Sequence, residues 1–364
     1  MRSLLIDHNR PCSARVSRTL LTSDFEYDLP QHLIASRPAA ERDGSRLLVL
    51  DSGGGLADRR FPDLVDYLQA GDALVLNSTR VFPARLVGQK PTGAAAEVLL
   101  IRPRMDVDSS GSVFEALVRP GSKLKPGRTI DIAPAFSIEV MDSLPGGGRL
   151  VRFGGSEDPW DLIEEHGHVP LPPYIDREDD AADRERYQTV YAVESGSVAA
   201  PTAGLHFTDR LLERLRDAGV RLVQVTLHVG VGTFRPVTAS RAEDHEMHSE
   251  WFRVDGEAAQ TLNDVRAAGG SICAVGTTSV RTLESAIDEN GEFQAAEGWT
   301  DLFIRAPYAF RAVDKLVTNF HLPRSSLLML VAALSNRERV LEAYAHAVRQ
   351  SYRFYSYGDA MLIT

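Results

Sequence analysis

The feature that most constrains the fold is a break in sequence periodicity between residues 81 and 153. The helical spacing of apolar residues disappears there and short alternating runs replace it, such as Phe136, Ile138 and Val140 with polar residues between them. Gly and Pro residues typical of turns separate these runs. Alternation with a period of two and closely spaced turns indicate antiparallel strands. We therefore predict a small all-β barrel domain over residues 81–153.

Helix and strand patterns alternate on both sides of this region. Apolar strands are predicted at residues 73–76 and 272–275, and residues 223–229 alternate between apolar and polar side chains. Helical patterns lie between these strands. The sequence thus predicts an α/β main domain, a mixed sheet with helices, divided into residues 24–80 and 154–364 by the inserted barrel.

Residues 1–23 contain several arginines and no clear periodicity, so we expect a disordered extension. The chain has 364 residues and a formal net charge of −10, which disfavours a protein that coats nucleic acid. A local basic face can still dock one structured RNA, because phosphate contacts depend on local charge. Two cysteines, Cys12 and Cys273, are too few for a disulfide framework or a cysteine zinc site.

No apolar stretch reaches the ~18 residues that a membrane-spanning helix needs. We therefore expect no membrane association and a cytoplasmic location. Neither heptads nor a long exposed apolar stripe occurs in the sequence, which favours a monomer.

Three runs in the second half of the chain each place one histidine among small or apolar residues, beside Gly or Pro. They contain His206, His228 and His321. A histidine in such surroundings is poorly solvated and is positioned by the backbone, which can set a proton donor or acceptor near neutral pH. For any single run, a core histidine bonded to a carbonyl is the stronger alternative. The presence of three runs favours a shared site.

Residues 275–281 (VGTTSVR) follow a core strand and precede a predicted helix. Hydroxyl residues at a helix start cap free backbone N–H groups, and the same groups bind anions. Thr277, Thr278 and Ser279, with Arg281 nearby, therefore indicate a cradle for a carboxylate or phosphate. A plain helix cap is an equally good interpretation. Neither the Walker nor the dinucleotide-binding glycine pattern is present.

Residues 244–250 (DHEMHSE) are rich in histidine and acidic residues but lack the H-E-x-x-H order of zinc enzymes. We favour an acid–base role, hydrogen bonding or a surface loop for this segment, and we predict no metal. The alternative from another enzyme class is a metal hydrolase that uses His228, His245, His248 and Glu250.

Long stretches of the chain resemble one family, the S-adenosylmethionine:tRNA ribosyltransferase-isomerases of the queuosine pathway. The matching stretches follow the family's order and are residues 25–33 (FEYDLPQHL), 71–86 (GDALVLNSTRVFPARL), 170–175 (PLPPYI), 187–207, 226–237 (TLHVGVGTFRPV), 244–250, 274–285 (AVGTTSVRTLES), 317–332 and 352–363 (YRFYSYGDAMLI).

The resemblance implies an α/β main domain with an inserted β-barrel, in agreement with the break in periodicity. It also implies an enzyme that consumes S-adenosylmethionine as a substrate and needs no cofactor. Such an enzyme transfers and isomerises the ribosyl group onto 7-aminomethyl-7-deazaguanine at the wobble position of tRNA. The implied product is epoxyqueuosine, with adenine and methionine released.

The resemblance also directs attention to particular residues. We expect acid–base roles for His206, His228, His321 and Glu246. The expected substrate-binding residues are Thr202, Gly204, Gly230, Gly232, Thr233, Thr277, Thr278, Ser279, Arg281 and Asn319. Arg80 and Arg85 form a basic edge at the predicted domain junction that could hold an RNA backbone, so we expect them to contact tRNA. On spacing alone, ordinary surface charge is at least as good an interpretation.

One segment departs from the family pattern. The family commonly has Tyr-Pro-Gly-Tyr where this chain has Arg305-Ala306-Pro307-Tyr308, so the shape of this loop differs. The departure supports the alternative from outside catalysis, which is an RNA-binding relative without activity. Retention of all the histidine- and glycine-bearing runs opposes that alternative.

Overall fold

The computed structural model describes residues 20–155, 157–234 and 237–364, without the side chains of residues 233 and 234. The strands are β1 (Arg46–Leu50), β2 (Leu56–Arg60), β3 (Ala73–Asn77), β4 (Thr79–Val81), β5 (Arg85–Gln89), β6 (Ala95–Pro103), β7 (Val113–Arg119), β8 (Thr129–Ala133), β9 (Phe136–Ser143), β10 (Arg149–Phe153), β11 (Glu194–Ser197), β12 (Arg221–Leu227), β13 (Glu250–Val254), β14 (Ile272–Val275), β15 (Ala296–Thr300), β16 (Lys315–Asn319) and β17 (Ala360–Ile363). The α-helices are α1 (Pro159–His166), α2 (Ala181–Arg186), α3 (Asp209–Asp217), α4 (Gly256–Ala267), α5 (Gly276–Ser285), α6 (Ser326–Leu334) and α7 (Arg337–Arg349).

A mixed nine-stranded sheet in the order β15-β13-β12-β3-β14-β16-β17-β1-β2 forms the centre of the main domain. Strands β12, β3, β14 and β16 are parallel neighbours, whereas β13 and β15 add an antiparallel edge. Every residue of β3 and β14 is buried. Continuous burial is expected for parallel strands that are covered on both faces.

Apolar layers cover the two faces of this sheet. On one face Val75 and Val225 pack with residues of α4, α5, α6 and α7. On the other face Leu74 and Leu76 pack with α3 and with the 3-10 helix Phe61–Tyr67. Successive side chains of a strand point to opposite faces, which is why neighbours in β3 belong to different layers.

The inserted region forms a closed antiparallel barrel in the order β10-β7-β6-β5-β8-β9. All six strands fall between residues 85 and 153, inside the segment predicted from its alternating pattern. Phe136, Ile138 and Val140 are buried in the barrel core. The predicted fold class, an α/β main domain with an inserted barrel, is confirmed.

The amino-terminal end of the described chain is more ordered than expected. Residues 1–19 of the predicted disordered extension lie outside the described residues. Leu21, however, forms a β-bridge with Arg241, and the buried Thr22 donates from Oγ1 to the carbonyl of Ala239 at 2.6 Å. Structure therefore begins before residue 24, because these residues gain backbone partners from a distant segment.

No helix within the described ranges is both long and apolar enough to cross a membrane.

Candidate active site

Three segments meet at the carboxyl ends of the central strands. Helix α5 begins directly after β14, residues 318–322 form the end of β16 and the turn after it, and the 3-10 helix Thr202–His206 packs against both α5 and β16. A cavity of about 650 Å³, including its open mouth, lies between them. Ligands of open α/β sheets bind at this edge, so the cavity is the candidate active site.

Helix α5 begins at the cavity wall without a side-chain cap. Gly276, Thr277 and Thr278 line the cavity, and the N-cap residue, Val275, makes no side-chain hydrogen bond to the first N–H groups of the helix. Ser279 turns its Oγ back to the carbonyl of Val275 at 2.7 Å instead of capping the helix. The first N–H groups of a helix have no intrahelical partners and carry a partial positive charge. The cavity therefore offers an anion a place to bind.

Three buried polar atoms at the cavity have no hydrogen-bond partner within the described part of the chain. They are Oγ1 of Thr278, Oδ1 of Asn319 and the hydroxyl of Tyr355. Tyr355 also holds a φ of 70°, a conformation that non-glycine residues seldom adopt. Buried polar groups are normally paired. This concentration of unpaired groups around one cavity is what a binding site for a polar ligand requires.

Asn319 connects the cavity to His206. Its Nδ2 lies 3.1 Å from the carbonyl oxygen of Tyr355 and 3.1 Å from Nε2 of His206. A carbonyl can only accept, so the amide nitrogen must face it, and Nε2 of His206 accepts from the same nitrogen. The imidazole proton is therefore on Nδ1, which lies 2.8 Å from Oγ of Ser45. His206 thus holds the orientation of Asn319 from behind the cavity wall.

His321 lines the cavity itself, with Nε2 at 2.7 Å from Oγ1 of Thr318. Its backbone N–H donates to the hydroxyl of Tyr344 at 3.0 Å. Burial lowers the pKa of His321 to about 3 and that of His206 to about 4. Both rings are therefore neutral at physiological pH. Burial has moved their titration below the near-neutral range that the sequence pattern suggested.

The cavity wall is uncharged and partly aromatic. Among the described residues that line it there is no Asp, Glu, Lys or Arg. Tyr174 stacks on Tyr355 with ring centroids 4.4 Å apart, and its hydroxyl bonds to Ser356. Burial raises the pKa of both tyrosines, which keeps both phenols protonated. Such a wall suits a ligand with its own charges and an apolar or cationic centre.

The structure brings part of the predicted site together. The predicted residues that line the cavity are Thr202, Thr277, Thr278, Asn319 and His321. His206 lies one hydrogen bond behind them, through Asn319. The catalytic and substrate-binding roles of these residues remain predictions.

Two predicted acid–base residues lie elsewhere. His228 has Nδ1 at 2.9 Å from Oγ1 of Thr79, and its ring stacks on Trp251 with centroids 5.0 Å apart. His228 follows the end of β12 and does not line the cavity, whereas the next residue, Val229, does. Glu246 is exposed on a loop before β13.

Arg281 is occupied by protein groups and does not reach the cavity lining. It is buried and forms an ion pair with Glu250, and it donates to the carbonyls of Thr300 and Leu302 at 3.0 Å. Glu250 also accepts from the backbone N–H of Gly230 at 2.8 Å. The pair therefore fixes the segment after β12 to helix α5.

Two of the predicted glycines make room for neighbouring side chains. A Cβ at Gly204 would overlap the hydroxyl of Tyr191, and one at Gly232 would overlap the ring of His248. The absence of a side chain at Gly204 and Gly232 thus lets Tyr191 and His248 pack closely against the backbone beside the site. The side chain of Thr233, another predicted substrate contact, lies outside what the structure describes.

No group of three or more His, Cys, Asp and Glu residues in the described ranges could hold a metal ion. Three of the four residues of the metal hydrolase alternative have other partners. His228 stacks on Trp251, His245 packs edge-on against Phe303, and Glu250 is paired with Arg281.

The predicted tRNA-contacting residues lie at the domain junction. Arg80 is exposed on β4. Arg85 pairs with Glu97 at 3.0 Å and lines a second, wider cavity between the barrel and residues 169–179, of about 1490 Å³ including its open mouth. The altered loop lies apart from both cavities. Its Tyr308 donates to Glu284 at 3.1 Å.

Sequence reasoning missed several cavity residues. They are Tyr174, Thr318, Ser325, Tyr355 and Ser356. Three of them belong to the stretches 170–175 and 352–363, which carry the family resemblance but contain no histidine. Aromatic and hydroxyl residues in those stretches were the available signal.

An open α/β sheet with an inserted barrel and an uncharged cavity beside a helix start is typical of an enzyme with a small-molecule site. The chain belongs to the queuosine biosynthesis protein family, which it matches over residues 22–363. It is therefore an enzyme of the ribosyltransferase-isomerase class, as the resemblance predicted.

Two relatives are named S-adenosylmethionine:tRNA ribosyltransferase-isomerase. The protein from Syntrophomonas wolfei is 53% identical over 345 residues, covering 94% of this chain and 96% of the relative. The protein from Desulfitobacterium hafniense is 50% identical over 343 residues, covering 93% and 98%.

A solved structure shares the fold. It is the crystal structure of S-adenosylmethionine tRNA ribosyltransferase from Thermotoga maritima, with 39% sequence identity and a TM-score of 0.54. The match covers 94% of this chain and 100% of that one.

Proposed function

We propose that the chain transfers the ribosyl group of S-adenosylmethionine to 7-aminomethyl-7-deazaguanine at the wobble position of a tRNA and isomerises it to epoxyqueuosine. Adenine and methionine leave, and no further cofactor takes part. The observation that carries the proposal is the uncharged cavity with unpaired Thr278 Oγ1, Asn319 Oδ1 and Tyr355 hydroxyl at the start of α5. The names of relatives at 50% identity or more give S-adenosylmethionine and tRNA as substrates. The modified base and the epoxyqueuosine product follow from the family resemblance.

The cavity has complementary features for each polar part of S-adenosylmethionine. Its carboxylate would bind the free N–H groups of α5 and the hydroxyl of Thr278. Its sulfonium would lie against the stacked rings of Tyr174 and Tyr355, where a cation is attracted to the ring faces. Its ammonium or ribose hydroxyls would pair with Oδ1 of Asn319, which is otherwise unsatisfied.

The reaction needs a base, because the sulfonium acidifies the C5′ hydrogens of the ribosyl group. Loss of such a proton and departure of protonated adenine open the sugar to the amine of the tRNA base. Closure of the epoxide then expels methionine. His321 is the only group with a neutral nitrogen base among the described residues lining the cavity. A carboxylate bound nearby favours the imidazolium form and would raise the pKa of His321 toward a useful range.

His206 acts through Asn319 and is a positioning residue in this proposal. Its neutral ring accepts from Nδ2 of Asn319, which turns Oδ1 of the amide toward the ligand. Substitution of His206 should therefore change ligand affinity and turnover together.

The RNA would dock across the domain junction, beside the wider cavity that Arg85 lines. Residues 81–153 contain ten Lys and Arg against seven Asp and Glu, whereas the whole chain has a net charge of −10. The barrel is thus the basic part of an acidic protein. An anticodon-loop base can be splayed into a pocket at modest cost, and phosphate contacts make binding weaken with salt.

Release of adenine and methionine tests the proposal. The purified chain is mixed with S-adenosylmethionine and tRNA bearing 7-aminomethyl-7-deazaguanine, and both products are measured by chromatography. The matched control is the same tRNA with guanine at that position. We expect both products in equal amounts with the modified tRNA alone. RNA binding without adenine release would instead support the binding-only alternative.

A further inference from the structure

The edge strand β15 carries an exposed tryptophan. Trp299 is 53% exposed, although it lies in a strand of the main sheet. Its direct cross-strand partner in β13 is Trp251, so the two indoles lie on the same face. Trp251 is half-buried, so Trp299 is the exposed member of the pair. An exposed indole that continues into a half-buried one is unusual on a protein surface and marks a place of contact.

His228 extends this surface inward. Its ring stacks on Trp251 with an interplanar angle of 21°. Thr79 fixes one ring nitrogen, and the backbone of Gly196 closes the other side, where a Cβ would come within 2.6 Å of Nε2 of His228. The orientation of Trp251 is therefore held from beneath.

Two guanidinium groups lie over the same rings. Arg102, from the barrel, is 4.5 Å from the ring centroid of Trp299, and Arg253 is 5.9 Å from that of Trp251. Both arginines also pair with carboxylates, Arg102 with Glu115 at 2.9 Å and Arg253 with Glu194 at 2.7 Å. Partly exposed ion pairs of this kind are weak, so a phosphate can compete for the guanidiniums.

We infer that this aromatic platform, formed by His228, Trp251, Trp299, Arg102 and Arg253, binds unpaired bases of the RNA substrate. The bases stack on the exposed indole, and the two guanidiniums face the phosphates beside them. Aromatic rings interleaved with arginines are the surface that single-stranded RNA recognises, since every base has a flat face. The inference rests on the proposed function, because it takes RNA as the substrate.

The position of the platform fits nucleotides that flank the modified base. His228 belongs to the platform, and the adjacent residue Val229 lines the candidate active site. The two sites therefore meet across the end of β12. Arg102 comes from the barrel and Trp299 from the main domain, so an RNA on the platform would contact both domains.

The test compares binding of the full-length tRNA to the full chain and to three variants. Trp299→Ala should weaken affinity about tenfold or more, and Trp299→Phe should retain most of it, because phenyl rings also stack on bases. Leu56→Ala is the matched control, since Leu56 is 37% exposed on the opposite edge strand, β2. It should bind like the unchanged chain. Bound tRNA should quench the tryptophan fluorescence of the unchanged chain, and most of this quenching should be absent in Trp299→Ala.

Further measurements distinguish failure of the aromatic platform from failure of the proposed function. S-adenosylmethionine affinity and the salt dependence of tRNA binding should stay the same in Trp299→Ala, because stacking releases no counterions. Equal tRNA affinity in Trp299→Ala and the unchanged chain, with turnover intact, would overturn the platform and leave the proposed function standing. Absence of tRNA binding by the unchanged chain would overturn both. A dimer that Trp299→Ala dissociates without change in tRNA affinity would assign the surface to a second copy.

Discussion

Nδ2 of Asn319 is shared between Nε2 of His206 and the carbonyl oxygen of Tyr355, each at 3.1 Å. The arrangement fixes three things at once. It sets the tautomer of His206, it braces the positive-φ backbone of Tyr355, and it leaves Oδ1 of Asn319 unpaired at the cavity. His206, a buried residue outside the cavity, thereby controls which polar atom Asn319 presents at the cavity wall.

Asn319→Asp tests this arrangement. A carboxylate would face two acceptors, so the nearby imidazole gains a proton and the pKa of His206 rises above its present value of about 4. We expect turnover to fall by about tenfold or more, because the amide that orients the ligand is lost. Imidazole NMR shifts against pH give the pKa. In the control Ser45→Ala, His206 keeps its bond to Asn319, and turnover should change far less.

Thr278→Val separates ligand binding from stability. The hydroxyl of Thr278 has no partner, so its removal should leave the free energy of unfolding unchanged or slightly higher, while S-adenosylmethionine affinity falls. Thr282→Val is the matched control one turn along α5, since its hydroxyl donates to the carbonyl of Thr278 at 3.0 Å. That variant should lose about 1 kcal/mol of stability and retain affinity. Denaturation measures stability and calorimetry measures affinity. If Thr278→Val loses stability and keeps affinity while Thr282→Val does the opposite, the assignment of the binding site is wrong.

Lowering the pH should destabilise the protein already at pH values above the range in which carboxylates titrate. His206 and His321 have folded pKa values of about 4 and about 3, below their ordinary 6.5, so the unfolded chain binds more protons between these limits. Their stabilising contribution is complete above pH 6.5 and declines as the pH falls from there toward 4. Urea denaturation at pH 7.5, 6 and 5 measures the decline. His321→Gln should show a shallower dependence on pH, and an identical one would refute the assignment.

The buried pair of Glu250 and Arg281 should matter for stability and not for metal binding. Glu250→Ala leaves an uncompensated guanidinium in the core, which we expect to cost about 3–5 kcal/mol. Removing both partners should cost less than the sum of the two single changes. Denaturant unfolding of the two single variants and the double variant measures the coupling. Dialysis against a chelator should leave the unchanged chain equally stable, and a loss of stability would point to a metal.

The elements predicted from sequence were those with strong local patterns. The alternation of Phe136, Ile138 and Val140 indicated the barrel, and the apolar run of β14 followed by hydroxyl residues indicated a strand that leads into α5. The order of Leu21 and Thr22 was not predicted. Leu21 and Thr22 owe their order to partners near residue 240, which no local pattern reveals.

The sequence determined the candidate site in part. His321 stood out for its small or apolar neighbours, Thr278 for its place at a helix start, and Asn319 through the family resemblance, and all three line one cavity. The same signals drew attention to His228 and Arg281, whose side chains do not line that cavity. Residue type and neighbours along the chain do not show which face of a strand or helix meets the cavity.

By itself, the sequence determined the division into an α/β main domain and an inserted barrel, and the family to which the chain belongs, because periodicity and long motifs are local properties. Only the tertiary structure decided which polar groups share a cavity, which remain unpaired there, and which are neutralised by partners. Those outcomes depend on contacts between residues far apart in the chain, such as His206 with Asn319 and Glu250 with Arg281. Burial, which lowers the pKa of His321 in the cavity and of His206 behind its wall, likewise arises only once the sheet and its helices have packed together.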